Sequence, residues 1–213
     1  MRPVKSALFA LAAVAILSGC KSSGTVEATG VYVTRSTCPQ VGIPAGTGDI
    51  TLFSPPGSAD AAAIDVVATI TNLRASCMED AANVVSTATF DVVATRRDAG
   101  EARQVTLPYY HVIAQGGSDI VAKKIGYVGL NFPAGSVRAQ TNAQARGRAT
   151  RGAVVLPEDI RRELTRNRKP GDADAAIDPM SDPRIRDAVA KATFEQLIGF
   201  QLTQDQLRYN ATR

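Results

Sequence analysis

The feature that most constrains the fold of this chain is an alternation of apolar and polar residues with a period of two, from Ile64 into the low 130s. Successive side chains of a β-strand point to opposite faces, so apolar residues at every second position make one buried face. Two segments carry this alternation most clearly, with apolar positions Ile64, Val66, Ala68 and Ile70 in one and Ala88, Phe90, Val92 and Ala94 in the other. Each segment is predicted to be a half-buried strand.

Turn signals divide the rest of this region into further strands. Asp98-Ala99-Gly100-Glu101 predicts a turn before a third strand at about 103–114, and the paired glycines Gly116-Gly117 predict a hairpin leading to a fourth strand at about 120–132. Shorter strand candidates lie at 30–35, 49–53 and 148–156. Strands joined by short turns, without helices between them, predict a mainly β fold: an antiparallel immunoglobulin-like β-sandwich over 30–156, with an open barrel as the alternative.

The remaining residues, 157–213, are predicted to form a short C-terminal helical extension. Pro157 followed by two acids is typical of a first helical turn, and residues 170–181 have the composition of a flexible linker. A second helix is expected from Pro183 to about Ile198. Its apolar stripe would consist of Val189, Ala190, Phe194, Leu197 and Ile198. A terminal helix is expected to begin with a capping box at Thr203 and Gln206 and to dock through Leu207 and Tyr209.

The N-terminus carries a short apolar run that follows two positive charges. Arg2 and Lys5 precede an uncharged segment from Ala7 to Leu17, and its eleven residues would rise about 16 Å as a helix, half of the roughly 30 Å bilayer core. The run is therefore typical of a signal peptide and too short for a permanent span. It ends in Leu17-Ser18-Gly19-Cys20, which resembles the bacterial lipobox.

This resemblance implies a bacterial lipoprotein. Residues 1–19 would be removed, Cys20 would receive a diacylglyceryl group, and residues 20–29 would form a flexible tether to the membrane. Lys21 after the cysteine implies sorting to the outer membrane, facing the periplasm. The alternative is an ordinary secretory signal that happens to precede a cysteine.

A second resemblance extends over the remaining chain. Cys38-Pro39, Tyr109-Tyr110-His111, the stretch 198–203 and Tyr209-Asn210 resemble uncharacterised lipoproteins of alphaproteobacteria. This likeness implies the same location and brings no known activity or functional residue.

Two cysteines remain once Cys20 is lipidated, namely Cys38 and Cys77. An even pair in the oxidising periplasm is expected to form a disulfide. Free thiols for redox or metal chemistry are the alternative, which the absence of a C-x-x-C motif disfavours.

The charge of the chain is concentrated in one segment. Of 24 basic residues, Arg2 and Lys5 lie in the signal, which leaves 22 against 20 acids, too small an excess to indicate a nucleic-acid partner. Between Arg138 and Lys169, nine basic residues face three acids. The nine are Arg138, Arg146, Arg148, Arg151, Arg161, Arg162, Arg166, Arg168 and Lys169. They are a candidate contact region for another envelope protein or for anionic lipid headgroups, and a solvated surface is the alternative.

Signals for catalysis are weak. His111 is the single histidine, and it could serve as a base near Ser118 or Asp119, although a packed strand histidine is the more ordinary interpretation. The sequence contains no G-x-S-x-G or H-E-x-x-H motif, so no enzyme activity, metal or other cofactor is predicted. A ligand groove is an alternative use of five apolar residues that would otherwise be core: Ile43, Leu52, Phe53, Tyr109 and Phe132. The sequence therefore favours a binding or scaffolding module of the cell envelope, with a lipid or small-ligand carrier as the alternative.

Overall fold

The computed structural model describes residues 36–166, 168 and 171–212. The strands are β1 (Gln40–Gly42), β2 (Asp49–Phe53), β3 (Ile64–Glu79), β4 (Asn83–Arg96), β5 (Arg103–Gln115), β6 (Asp119–Phe132), β7 (Arg138–Thr150) and β8 (Phe194–Phe200). The helices are α1 (Arg151–Val154), α2 (Glu158–Thr165), α3 (Pro183–Lys191) and α4 (Gln204–Thr212). Single 3-10 turns occupy Ala61–Ala63 and Pro179–Ser181.

The strands form two four-stranded sheets. The first sheet has the order β1-β8-β5-β6 and the second has the order β2-β3-β4-β7. Neighbouring strands are antiparallel except β1 and β8, which are parallel. The prediction of a mainly β sandwich with a short C-terminal helix is confirmed, because the structure has two sheets in which most strand pairs are antiparallel.

The core lies between the two sheets and follows the period-two pattern of the sequence. From the second sheet, the alternating residues of β4, such as Phe90 and Val92, are almost completely buried. From the first sheet, Leu107, Leu130 and Phe200 belong to the same cluster. Burial of each such large apolar side chain contributes roughly 1.5–3 kcal/mol, which makes this cluster the main stabilising element of the fold.

The predicted disulfide is present and links the two sheets. Cys38 lies two residues before β1 of the first sheet, and Cys77 lies near the end of β3 in the second, with their Cα atoms 6.0 Å apart. The bridge therefore holds the start of the described chain against the end of the β3–β4 hairpin.

Two expectations about the C-terminal half are wrong. The helix predicted to continue to Ile198 ends at Lys191, and the residues that follow form β8, between β1 and β5 in the first sheet. The expected stripe residues Phe194 and Ile198 are four positions apart. This spacing fits one face of a helix but also one face of a strand, and pairing with β5 decides for the strand. The proposed boundary between a sandwich at 30–156 and a helical extension at 157–213 therefore does not hold, because β8 belongs to the sandwich.

The strand predicted at 148–156 is also wrong in its position. β7 begins ten residues earlier, at Arg138, and ends at Thr150, where helix α1 begins. Its inward face consists mainly of small residues such as Ala139, Ala145 and Ala149. Because alanine gives little hydrophobic contrast with the polar outward positions, the alternation is weak in the sequence. The candidate strand at 30–35 lies outside the described residues.

The chain divides into two compact units. The sandwich with its helices comprises 36–166 and 176–212, and residues 168 and 171–175 belong to the second unit. Within that second unit, Arg168 Nε lies 3.6 Å from an oxygen of Asp174.

Candidate functional site

The predicted basic segment separates into two groups that differ in their surroundings. Arg138, Arg146 and Arg148 are exposed and point outward from β7, because all three occupy the same phase of its alternation. No ion pair with an acid is formed by these three side chains among the described residues. Lys169 lies outside the described part of the chain.

The arginines of the helices are neutralised locally. On α2, Arg161 and Arg162 both pair with Glu158, and Arg166 pairs with Glu163. Arg151 of α1 lies 3.9 Å from Glu79 and donates a hydrogen bond to the Asp80 carbonyl. Ion pairs between helix neighbours are exposed and contribute little stability, but they cancel charge that would otherwise attract an anionic partner.

The three unpaired arginines belong to the outward surface of the second sheet, which we call the β3–β4–β7 face. The register places one residue from each strand in a cross-strand row. The rows are Val67-Thr95-Arg138, Thr69-Val93-Gln140, Thr71-Asp91-Asn142, Arg74-Thr89-Gln144, Ser76-Thr87-Arg146 and Met78-Val85-Arg148. Hydroxyl and amide groups dominate the middle of the face and arginines mark both ends.

Two open grooves lie on this face. One has a volume of about 410 Å³ and is lined mainly by polar side chains, including Asn72, Asp91, Asn142 and Gln144. The other, of about 540 Å³, is lined by residues that include Thr69, Thr95, Arg138 and Gln140. Hydrogen-bond donors and acceptors are therefore presented along the sheet on a backbone that is fixed by ladder pairing.

A β-bulge shapes the first groove. The register of β3 against β4 shifts between Thr71 and Arg74, and Asn72 within this bulge has a φ of 51°. Asparagine tolerates this left-handed conformation better than most residues. Its side-chain amide donates to Asp91 over 2.8 Å, and Arg74 Nε donates to Asn72 Oδ1 over 3.0 Å. The bulge thus redirects a polar side chain into the groove, as bulges near binding sites commonly do, and the sequence pattern did not reveal it.

His111 points into the sandwich. It is only 7% exposed, and a Cβ placed on Gly147 of β7 would lie 3.5 Å from its Nε2. Burial lowers the pKa of His111, and the positive charge of Lys124 lowers it further. Ser118 and Asp119 lie at the β5–β6 turn, whereas His111 pairs with Lys124 further along the hairpin. The register therefore does not bring the three suggested catalytic residues together.

Two further polar side chains, Ser86 and Gln196, are buried on strands β4 and β8. Ser86 pairs with Gly147 in the second sheet, and Gln196 of β8 donates to the Ala145 carbonyl over 3.1 Å. Within the described residues, Ser86 Oγ, His111 Nε2 and Gln196 Oε1 are buried without a hydrogen-bond partner. Ser86 and Gln196 were not predicted as buried polar residues, because the sequence around each offers no signal beyond its strand pattern.

The residues suggested for a ligand groove are used for packing. Ile43, Leu52 and Tyr109 pack against the main core, in which Phe132 is buried, while Phe53 forms an edge-to-face contact with Tyr209 of α4. In the described ranges, no three histidine, cysteine or acidic side chains gather as a metal site. None of the described helices combines the length and the hydropathy that crossing a bilayer requires.

The fold and the face together define a disulfide-linked, two-sheet β protein with a polar, arginine-bordered sheet surface. Comparisons with protein-family models, with characterised proteins and with solved structures found no significant match.

Proposed function

We propose that this chain is a lipoprotein of the bacterial cell envelope, anchored through Cys20, whose sandwich serves as a binding or scaffolding module. The β3–β4–β7 face is its contact surface, and the partner is another envelope protein that presents acidic and hydrogen-bonding groups. The observation that carries the proposal is the set of outward arginines on β7, which form no ion pair within the described residues and share their face with two open grooves.

The chemistry of the face supports a protein partner. An arginine guanidinium offers five donors in a planar fork, which matches a carboxylate in a bidentate arrangement. The neighbouring amides and hydroxyls can pair with a partner backbone, and because they are held on a sheet their ordering costs little entropy on binding. The Cys38–Cys77 bridge is consistent with an oxidising compartment.

The carrier alternative draws less support from the described residues. A lipid or small-ligand carrier needs an apolar cavity, whereas the space between the sheets contains the packed side chains of Phe90, Phe132 and Phe200. Both grooves on the β3–β4–β7 face are open, and the first is lined mainly by polar side chains, which suits a protein surface better than an acyl chain.

The proposal predicts that the arginines of β7 and of α2 behave differently. In cells, cross-linking followed by mass spectrometry is expected to recover specific envelope proteins with the wild type and to lose them with Arg146→Gln/Arg148→Gln. The matched control is Arg161→Gln/Arg162→Gln, which removes the same charge from side chains that are already paired with Glu158. Equal recovery of the same proteins by all three chains would contradict the proposal.

A further inference from the structure

Among the described strands β6 pairs with β5 alone, at the edge of the first sheet, and its N-terminal half has an unusual number of exposed apolar side chains. Ile120 is 65%, Val121 51%, Ile125 44% and Tyr127 71% exposed. Sheet edges are normally protected by charges or by covering elements, and clustered exposed apolar residues mark interaction sites. We call these four residues, together with Lys123, the β6 surface; Lys124 pairs with the inward-pointing His111 and lies on the other side of the strand.

The charge of this surface is positive. No acidic residue occurs between Ile120 and Phe132, and Asp119 stands only at the start of the strand. Lys123 Nζ lies 5.7 Å from the ring centre of Tyr110, on the outward side of the first sheet. Aliphatic residues beside a tyrosine and a lysine are typical of surfaces that lie in the headgroup region of anionic bilayers.

Strand register places the β6 surface at the end of the sheet where the tether arrives. Gln40 of β1 pairs with Glu195, Glu195 with Ala114, and Ala114 with Ile120. This row crosses three strand spacings, or about 14 Å. The chain that arrives from the N-terminus therefore joins the sheet level with Ile120.

The length of the tether limits how far this end can be from the lipid anchor. Sixteen residue steps separate Cys20 from Ser36, the first described residue. Even a fully extended chain of that length spans at most about 55 Å. In the anchored protein the β6 surface therefore stays near the bilayer at a high local concentration. Contacts that are individually weak are then enough to hold this surface on the lipid headgroups.

We propose that the β6 surface is a second membrane contact that rests on anionic lipid headgroups and places its apolar side chains in the bilayer interface. This inference rests on the anchoring through Cys20 proposed above. The β3–β4–β7 face belongs to the other sheet and points away from the outward side of the first sheet, so it stays free for a partner protein.

The chain contains no tryptophan, so a single introduced tryptophan reports its own position. The lipidated full-length protein would be reconstituted into vesicles of phosphatidylcholine and phosphatidylglycerol, with or without bromine on the acyl chains. Ile125→Trp is expected to lose fluorescence to the brominated lipids. Val93→Trp is the matched control, because Val93 is a 37% exposed aliphatic residue in mid-strand on the β3–β4–β7 face, and its fluorescence is expected to stay unchanged.

Lys123→Gln, introduced beside Ile125→Trp, is expected to lower the ratio of docked to undocked protein by about fivefold. Vesicles without phosphatidylglycerol are expected to have the same effect. If the protein floats with the vesicles but the tryptophan at position 125 is not quenched, the membrane contact is refuted, and a protein partner at the β6 edge becomes the better explanation. If the protein does not float with the vesicles, the anchoring through Cys20 is wrong. The membrane contact depends on that anchoring, so it is then refuted as well.

Discussion

At the scale of single residues, the structure assigns roles that residue type alone did not indicate. Arg96 is buried, and its guanidinium donates to the backbone carbonyls of Ser136 and Glu101, each over 2.8 Å, and to those of Gly100 and Pro133. It therefore ties together two loops at one end of the sandwich. The role of Arg96 was not predicted from the sequence. It depends on two loops that are distant in the sequence and bring their carbonyl groups together around one side chain.

His111 makes the stability of the fold depend on pH. Its pKa is lowered in the native state by burial first and by Lys124 second, so the native imidazole stays neutral where an unfolded one, with a pKa of about 6.5, takes a proton. The stability that the neutral histidine contributes is therefore complete above pH 6.5 and is lost as the pH falls below it. The slope for one proton cannot exceed about 1.4 kcal/mol per pH unit.

We expect urea unfolding to give a lower free energy of unfolding at pH 5.5 than at pH 7.5 for the wild type. His111→Gln removes the titrating group and is expected to reduce this difference, whatever its effect on stability at neutral pH. Identical pH dependence in the two proteins would show that His111 is readily protonated in the native state.

At the scale of elements, β1 is the strand that we expect to detach from its sheet most easily. It has three residues and, of the strands that the structure describes, it pairs with β8 alone, at the edge of the first sheet. Cys38 fixes the chain just before β1 through its bond to Cys77. A loop of this length is expected to contribute about 4 kcal/mol when it is closed by a disulfide, according to the chain-entropy account.

Reduction of the disulfide is therefore expected to lower the melting temperature and to release β1 before the rest of the sheet. Hydrogen exchange of the amides of 40–42 should accelerate more than exchange of the amides of 90–92 in the central strand β4. Cys38→Ser/Cys77→Ser should exchange like the reduced wild type and should not respond to reductant. Uniform acceleration in both segments would contradict a local role for the bridge.

The terminal helix shows which structural features a local sequence pattern can predict and which it cannot. The predicted capping box is present, since the Thr203 N–H donates to Gln206 Oε1 over 2.9 Å and the Gln206 N–H donates to Thr203 Oγ1 over 3.2 Å. Tyr209 packs on Phe53 as part of the predicted docking, but Leu207 remains 43% exposed, so its predicted docking role is wrong. A cap is made by residues three apart, whereas docking depends on which distant strand lies beneath the helix.

At the scale of the whole molecule, the proposed anchor determines where every surface acts. Cys20→Ser is expected to abolish incorporation of labelled palmitate, because only a thiol can receive the diacylglyceryl group. The matched control is Cys38→Ser/Cys77→Ser, which removes the two other cysteines and their disulfide and should keep the lipid. A wild-type N-terminal peptide without acyl chains in mass spectrometry would refute the lipoprotein proposal.

The sequence by itself determined the strands with strong apolar alternation, the turns between them and the Cys38–Cys77 pair, because these depend on local periodicity, turn chemistry and the parity of cysteines. Only the tertiary structure decided that 194–200 is a strand, since a spacing of four residues fits a helix and a strand equally and pairing with β5 resolved it. It also decided which arginines form ion pairs within the described residues: those on α2 meet acids one turn away, while those on β7 face outward among hydroxyls and amides. Charge counted along a chain does not distinguish these cases, because charges cancel between neighbours in space.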